Sequence, residues 1–335
     1  MLRTKARLHF TVMLMLVMLS ASLTAQKNTS KAKENTGSLP GIIWRDPGDV
    51  ASLNLLYGAG GKEHAPNPNG KYTFVKEDTE GTSPKFDIED AQGTRWKVKL
   101  GLEPQSETAA TRLLWAAGYF VDEDYYLADL KVTSMPKLHR GGKFVAADGT
   151  GRGARLERKP KGVEKLGTWS WFHNPSLDTR EFNGLRVMMS FLNNWDLKES
   201  NNSIYEIGDE RRYAVTDLGA TFGKTGSSFS RSRSVPKDYV DSKFIRKVTP
   251  EYVDFVMHSR PIFLMAMFPY YHTRARMEKI TKHVPRADVK WLAQRLSQLS
   301  AEQIRDSFRA AGYTTGEIEE YTRAVQKRIA ELNAL

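Results

Sequence analysis

The apolar residues of this chain repeat at every second position in its first half and at every third or fourth in its second half. That change of period restricts it to a strand-rich part followed by a helix-rich part. The alternation runs through Tyr72-Thr-Phe-Val75, Phe86-Asp-Ile-Glu89 and Thr94-Arg-Trp-Lys-Val-Lys-Leu100, separated by the polar loop Asp78–Pro84 and the turn Asp90-Ala-Gln-Gly93. This predicts a three-strand meander. A short helix is expected over Glu107–Gly118, with Ala109, Leu113 and Ala116 on one face and Gly118 as its stop, then another strand over Tyr125–Val132. Later, Asp178 and Glu181 have capping-box spacing, and Phe182, Leu185, Met189 and Leu192 mark a helix ending near Asn194. A hairpin follows, Ser203–Ile207 with Tyr213–Val215, turned by Gly208-Asp-Glu-Arg211. Ser300 with Gln303 opens a helix carrying Ile304, Phe308 and Ala311 and stopped by Gly312; a last helix carries Ile318, Tyr321, Val325, Ile329 and Leu332. The apolar stretch Pro261–Phe268 is too short to span a bilayer and reads as a buried helix.

The amino terminus has a separate logic. Arg3, Lys5 and Arg7 precede the apolar run Phe10–Leu19 and the small residues Ser20, Ala21, Ser22 and Ala25, the pattern of a signal peptide cleaved after Ala25 or Ser22. The mature chain is therefore expected outside the cytoplasm (periplasmic, cell-surface or secreted), with no membrane span. Residues 1–25 are the signal peptide, 26–41 a flexible Lys/Asn/Ser/Thr-rich linker, 42–165 the β-rich region and 166–335 the helical one.

Composition closes several routes. With no cysteine there is no disulfide, thiol nucleophile, Cys-based zinc site or lipid-modified cysteine. The net charge of +11 includes the three early cations, and such a charge spread over 335 residues is a weak pointer to nucleic acid, so no nucleic-acid partner is expected. The histidines His64, His139, His173, His258, His272 and His283 lack metal-ligand spacing, and no Gly-x-Ser-x-Gly elbow marks a serine hydrolase.

Against that background, a set of polar residues falls in a telling order. A strand carries Lys97 and Lys99 on one face, the next helix opens with Glu107, a long helix runs into Asn194-Trp-Asp-Leu-Lys-Glu-Ser-Asn201, and the hairpin leads to Asp217-Leu-Gly219. Asp196-Leu-Lys198 with Asn201 five residues after Asp196 resembles a kinase catalytic loop, and Asp217-Leu-Gly219 resembles the metal-binding Asp-Phe-Gly motif. The resemblance is to the protein-kinase-like superfamily. It implies an α+β, two-lobed fold with a small antiparallel β lobe bearing one helix, and a mainly helical second lobe. It further implies that Lys99 contacts the phosphates of ATP and pairs with Glu107, with Lys97 as rival because residues two apart on a strand point the same way. Asp196 would orient an acceptor hydroxyl and take its proton, while Asn201 and Asp217 would hold Mg²⁺.

Asn194-Trp195 stands where many protein kinases have His-Arg, no Ala-Pro-Glu segment follows, and no G-x-G-x-x-G is present. The candidate phosphate loop is instead Glu80-Gly81-Thr82-Ser83. These departures are similar to the atypical branches: phosphoinositide lipid kinases, HipA-type and CotH-type kinases, and the secretory-pathway kinases. The implied partners are a nucleotide and a protein or envelope-polymer acceptor. The alternative is a non-catalytic kinase-like binding module of the cell envelope. The base-contacting hinge is expected between Tyr125 and Leu166. Two further features read as ordinary structure first: Gly223–Ser234 as a solvated basic loop rather than a self-modified one, and Trp169-Ser-Trp171-Phe172 as a strand packing one face on a core rather than a sugar platform.

Overall fold

The computed structural model describes residues 39–81, 83–225, 231–257 and 276–335. The expected signal peptide, most of the expected linker, Thr82, Pro261–Phe268, His258, His272 and the middle of the Gly223–Ser234 loop lie outside the described residues.

Strand β1 (Gly41–Ile42) is followed by β2 (Tyr72–Asp78), β3 (Lys85–Asp90) and β4 (Arg95–Lys99), the last three forming the expected antiparallel meander. Helix α1 (Pro104–Ala116) comes next, then β5 (Asp124–Thr133) and β6 (Thr150–Lys159). These strands close into a five-stranded barrel in the order β2-β3-β4-β6-β5, sealed by a short parallel pairing of Tyr72 and Thr73 with Val132 and Thr133. Closure removes both edges of the sheet. Alternation then sorts the side chains: Phe86, Ile88, Trp96, Val98, Leu130 and Leu156 fill the interior, while Lys97 and Lys99 stand on the outer face. Strand β6 carries only Ala154 and Leu156 as an inward pair amid Gly151, Gly153 and charged residues, so its alternation is too brief to read without its neighbours.

The second hydrophobic cluster is larger. Strand β7 (Glu164–Gly167) joins β8 (Asn202–Ile207) and β9 (Glu210–Val215) in a sheet of order β1-β9-β8-β7; helix α2 (Arg180–Phe191) lies between β7 and β8 in sequence, and α3 (Pro236–Asp241) follows β9. Strands β10 (Ile245–Val248), β11 (Tyr252–Phe255) and β12 (Val284–Pro285) form a small antiparallel sheet. Helices α4 (Arg286–Leu296), α5 (Ala301–Arg309) and α6 (Thr315–Asn333) complete the chain. The cluster takes Phe182, Leu185 and Met189 from α2, Ile304 and Phe308 from α5, and Tyr321, Val325 and Leu332 from α6. It also claims Ala109, Leu113 and Leu114 of α1, and Ile43, Val50 and Leu55. Helix α1 is therefore packed on the second cluster although it follows the barrel strands in sequence. Among the described residues no helix is long and apolar enough to cross a membrane.

Several local expectations are corrected. Helix α1 begins at Pro104, so Glu107 lies within its first turn, and Gly118 adopts the left-handed φ of +94° just past its end. The cap of α2 is Thr179, whose hydroxyl accepts from Phe182 N, while Asp178 takes φ +65° one residue earlier. The hairpin turn is tighter than expected, because Glu210 and Arg211 already belong to β9. Gly41, at the end of the segment read as linker, pairs in parallel with β9. The capping box of α5 forms as expected, and a second one, Thr314 with Glu317, opens α6. Trp169 and Trp171 are both buried, with Trp169 Nε1 donating to the Ala214 carbonyl at 2.8 Å, which leaves neither ring a face for a sugar.

Candidate active-site cleft

Lys99 ends β4 on the face turned away from the barrel interior, directly beside the first turn of α1. Its Nζ lies 2.7 Å from Glu107 Oε2, 3.2 Å from Glu103 Oε2 and 3.3 Å from Asp217 Oδ1. Glu107 is 0 % exposed and also meets Arg155 Nε at 3.4 Å; Arg155 in turn meets Asp124 at 2.5 Å and Glu157 at 3.2 Å. Burial alone would favour a neutral Lys99 amine, yet the carboxylates of Glu107 and Asp217 outweigh it and raise its pKa. For Asp217, burial pushes upward and Lys99 overcomes it, holding the carboxyl below its ordinary value. Both groups are thus kept charged.

Lys97 is placed differently. Its Nζ sits 3.0 Å from Asp78 Oδ2, which Lys85 also approaches at 3.3 Å, and it contacts neither Glu107 nor Asp217. Burial opposes ionisation of Asp78, but the Lys97 hydrogen bond and its neighbours prevail and bring its pKa to about 2.

The catalytic-loop candidates follow α2. Asn193 takes φ +54°, turning the chain out of the helix, and Asn194 Oδ1 accepts from Asp196 N at 3.1 Å. Asp196 Oδ2 lies 2.8 Å from Lys198 Nζ, and Asn201 Nδ2 donates to the Asp196 carbonyl at 2.7 Å. The hairpin then returns the chain: Asn202 pairs with Val215, and Thr216 N donates to the Asn201 carbonyl at 2.9 Å. Asn201 and Asp217 therefore flank the open end of one hairpin. Gly219 is required next to them, since a Cβ there would stand 2.7 Å from the Glu103 side chain.

Lys97, Lys99, Asp196, Asn201 and Asp217 all border one cleft of about 1120 Å³, as do Gly81 and Ser83; Glu107 lies behind Lys99. Ser83 Oγ donates to Glu103 Oε2 at 2.9 Å, and Arg140 secures the loop by donating to the Gly81 and Glu80 carbonyls. The oxygen donors at Asp217 and Asn201 are of the kind Mg²⁺ takes, and the Oδ2 atom of Asp217 makes no hydrogen bond among the described residues. The carboxylates of Glu103, Glu107 and Asp217 also lie close enough together to share a cation.

Four residues absent from the sequence reading shape this cleft. Glu103 bridges Lys99, Ser83 and Arg233, and Arg155 anchors Glu107 from the unread strand β6. Arg328 of α6 is buried and donates to the carbonyls of Ser190 and Phe191 and to Asn193 Oδ1, so it caps the helix that delivers Asp196. Arg155 and Arg328 had no signal in sequence because each acts on a partner far along the chain, and Glu103, four residues after Lys99, has its other partners Ser83 and Arg233 far away. The fourth, Asp122, is half-buried and accepts from the Tyr205 hydroxyl at 2.8 Å. Burial and then Glu157 push its carboxyl from 3.8 up to about 7. A carboxyl that keeps its proton longer when folded contributes stability below its unfolded pKa, and that contribution is lost as pH rises through about 7. Asp122→Asn is therefore expected to remove this loss: the unfolding midpoint of wild type should fall relative to the variant between pH 4 and 7 and run parallel to it above. A constant offset across that range would contradict the assignment.

No family model and no curated protein matches the chain. Among solved structures it is similar to the Helicobacter pylori proinflammatory kinase CtkA, with a TM-score of 0.45 and 10% identity over 78% of this chain and 95% of that one. It is also similar to a Golgi casein kinase, with a TM-score of 0.31 and 8% identity over 78% of this chain and 74% of that one.

Proposed function

We propose that this chain is an exported, kinase-like phosphotransferase that uses ATP and Mg²⁺ to modify a hydroxyl of a protein or envelope polymer. The observation that carries the reading is the Lys99–Glu107 pair at 2.7 Å opening onto Asp217, in the same cleft as Asp196 and Asn201. Phosphoryl transfer needs a fixed cation on the phosphates, oxygen ligands for a metal and an acceptor-orienting carboxylate, and these residues are of those kinds. A Mg²⁺ ion held there would supply charge neutralisation for the phosphates. Lys99, held by Glu107, would neutralise a phosphate oxygen, and Asp217 and Asn201 would be the metal ligands. Asp196 would position the acceptor hydroxyl and take its proton at a carboxylate oxygen.

One feature favours the second reading, a non-catalytic binding module: Lys99 is already shared by three carboxylates, one of them tied to Arg233. Thermal unfolding with and without Mg²⁺ and ATP tests the site common to both readings. At a hundredfold excess over Kd the wild type should gain about 2.7 kcal/mol of apparent stability, and Asp217→Ala should lose that gain while folding normally. No shift in the wild type with any nucleotide and divalent metal would overturn both.

A further inference from the structure

Three carboxylates divide the ammonium of Lys99 among them, and they are not equivalent. An ammonium has three N–H groups, and oxygens of Glu107, Glu103 and Asp217 already stand 2.7, 3.2 and 3.3 Å from Lys99 Nζ. A phosphate oxygen reaches that nitrogen by taking the place of one of them. Glu107 is 0 % exposed and anchored behind the lysine by Arg155, so it stays. Asp217, as a metal ligand, belongs beside the phosphates. Glu103 differs from both. It stands at the N-cap of α1, yet its side chain accepts from no backbone N–H of that helix and turns into the cleft against Gly219 instead. There its charge would lie next to that of a phosphate on the same cation. The same carboxylate also reaches across the cleft. Its Oε2 accepts from Ser83 Oγ of the candidate phosphate loop at 2.9 Å, and its Oε1 pairs with Arg233. The guanidinium carbons of Arg233 and Arg231 lie 4.9 and 4.1 Å from the Trp195 ring centroid, and the Trp195 indole N–H donates to the Ser232 carbonyl at 2.9 Å. Trp195 is only 6 % exposed in consequence, although it immediately precedes Asp196.

Resting on the phosphotransferase reading above, we infer that Glu103 is an autoinhibitory stand-in for the donor's phosphate: donor binding displaces its carboxylate from Lys99 and from Arg233, and so frees the Arg231–Ser234 segment from Trp195 beside Asp196. The two releases are joined because Oε1 and Oε2 belong to one planar group, and a rotation that takes Oε2 off Lys99 moves Oε1 away from Arg233 as well. The acceptor side of the cleft therefore opens once the donor is seated. The crowding of Lys99 is then the resting state of an enzyme, confined to one carboxylate that can swing aside.

Two measurements on the full chain with the Mg²⁺ complex of ATP test this. In calorimetric titration, Glu103→Gln should bind about fivefold or more tighter than wild type, because the amide keeps the shape of the side chain but gives up its charge-assisted hold on Lys99. In acrylamide quenching of fluorescence, the contribution of Trp195, isolated from the seven tryptophans by difference with Trp195→Phe, should rise in wild type when the complex is added. A gain in affinity short of about fivefold, or a Trp195 signal that ATP leaves unchanged, would overturn the inference while leaving the phosphotransferase reading in place. No binding by either protein would overturn both.

Discussion

Glu107→Ala is expected to cost about 3–5 kcal/mol of folding stability, because it removes the shared partner of two buried cations. Glu107 is 0 % exposed, and Lys99 and Arg155 beside it are almost as deeply buried. Water cannot replace the lost carboxylate without opening the contact between α1 and the barrel. Denaturant unfolding of wild type and variant at pH 7 measures the loss, and Glu107→Gln, which keeps the shape and one acceptor, should recover part of it. A cost below about 1 kcal/mol would mean that Asp124, Asp217 and Glu157 suffice to hold both cations, and the network would then be redundant. A large cost confined to stability, with ligand binding intact in the folded variant, would make Glu107 a scaffold for Lys99 only through its packing.

The second large effect is on turnover. Asp196→Asn should lower phosphoryl transfer, to an acceptor or to water in its absence, by about 10²–10⁴-fold while leaving nucleotide affinity within about twofold. The asparagine keeps the size of the side chain and an acceptor for Asn201 Nδ2, but it takes no proton and no longer attracts Lys198, which lies 2.8 Å from the carboxylate. Release of nucleoside diphosphate, measured beside calorimetric binding, separates the two quantities. Equal turnover in both proteins, with binding unchanged, would favour the non-catalytic module.

These predictions concern residues that differ in how visible they were in sequence. Asp196, Asn201 and Asp217 were legible because they lie within 22 positions of one another, and the hairpin that joins them announces itself by its own strand pattern. Lys99 was legible only as one of two candidates, since strand periodicity places Lys97 and Lys99 on the same face and contains nothing to separate them. The separation came from the approach of α1: its first turn reaches Lys99, whereas Lys97 meets Asp78 at the end of β2, two strands away in the barrel.

Local information thus determined the order of strands and helices, the caps at Ser300 and Gly312, and the spacing of the loop Asp196–Asn201, because each depends on residues a few positions apart. The tertiary structure alone decided that the strands close into a barrel, that α1 joins the second hydrophobic cluster, and that Glu103, Arg155 and Arg328 support the cleft. Those outcomes depend chiefly on contacts between residues from 20 to more than 130 positions apart, and side chains carry no mark of a distant partner until burial withdraws them from water and makes that partner necessary.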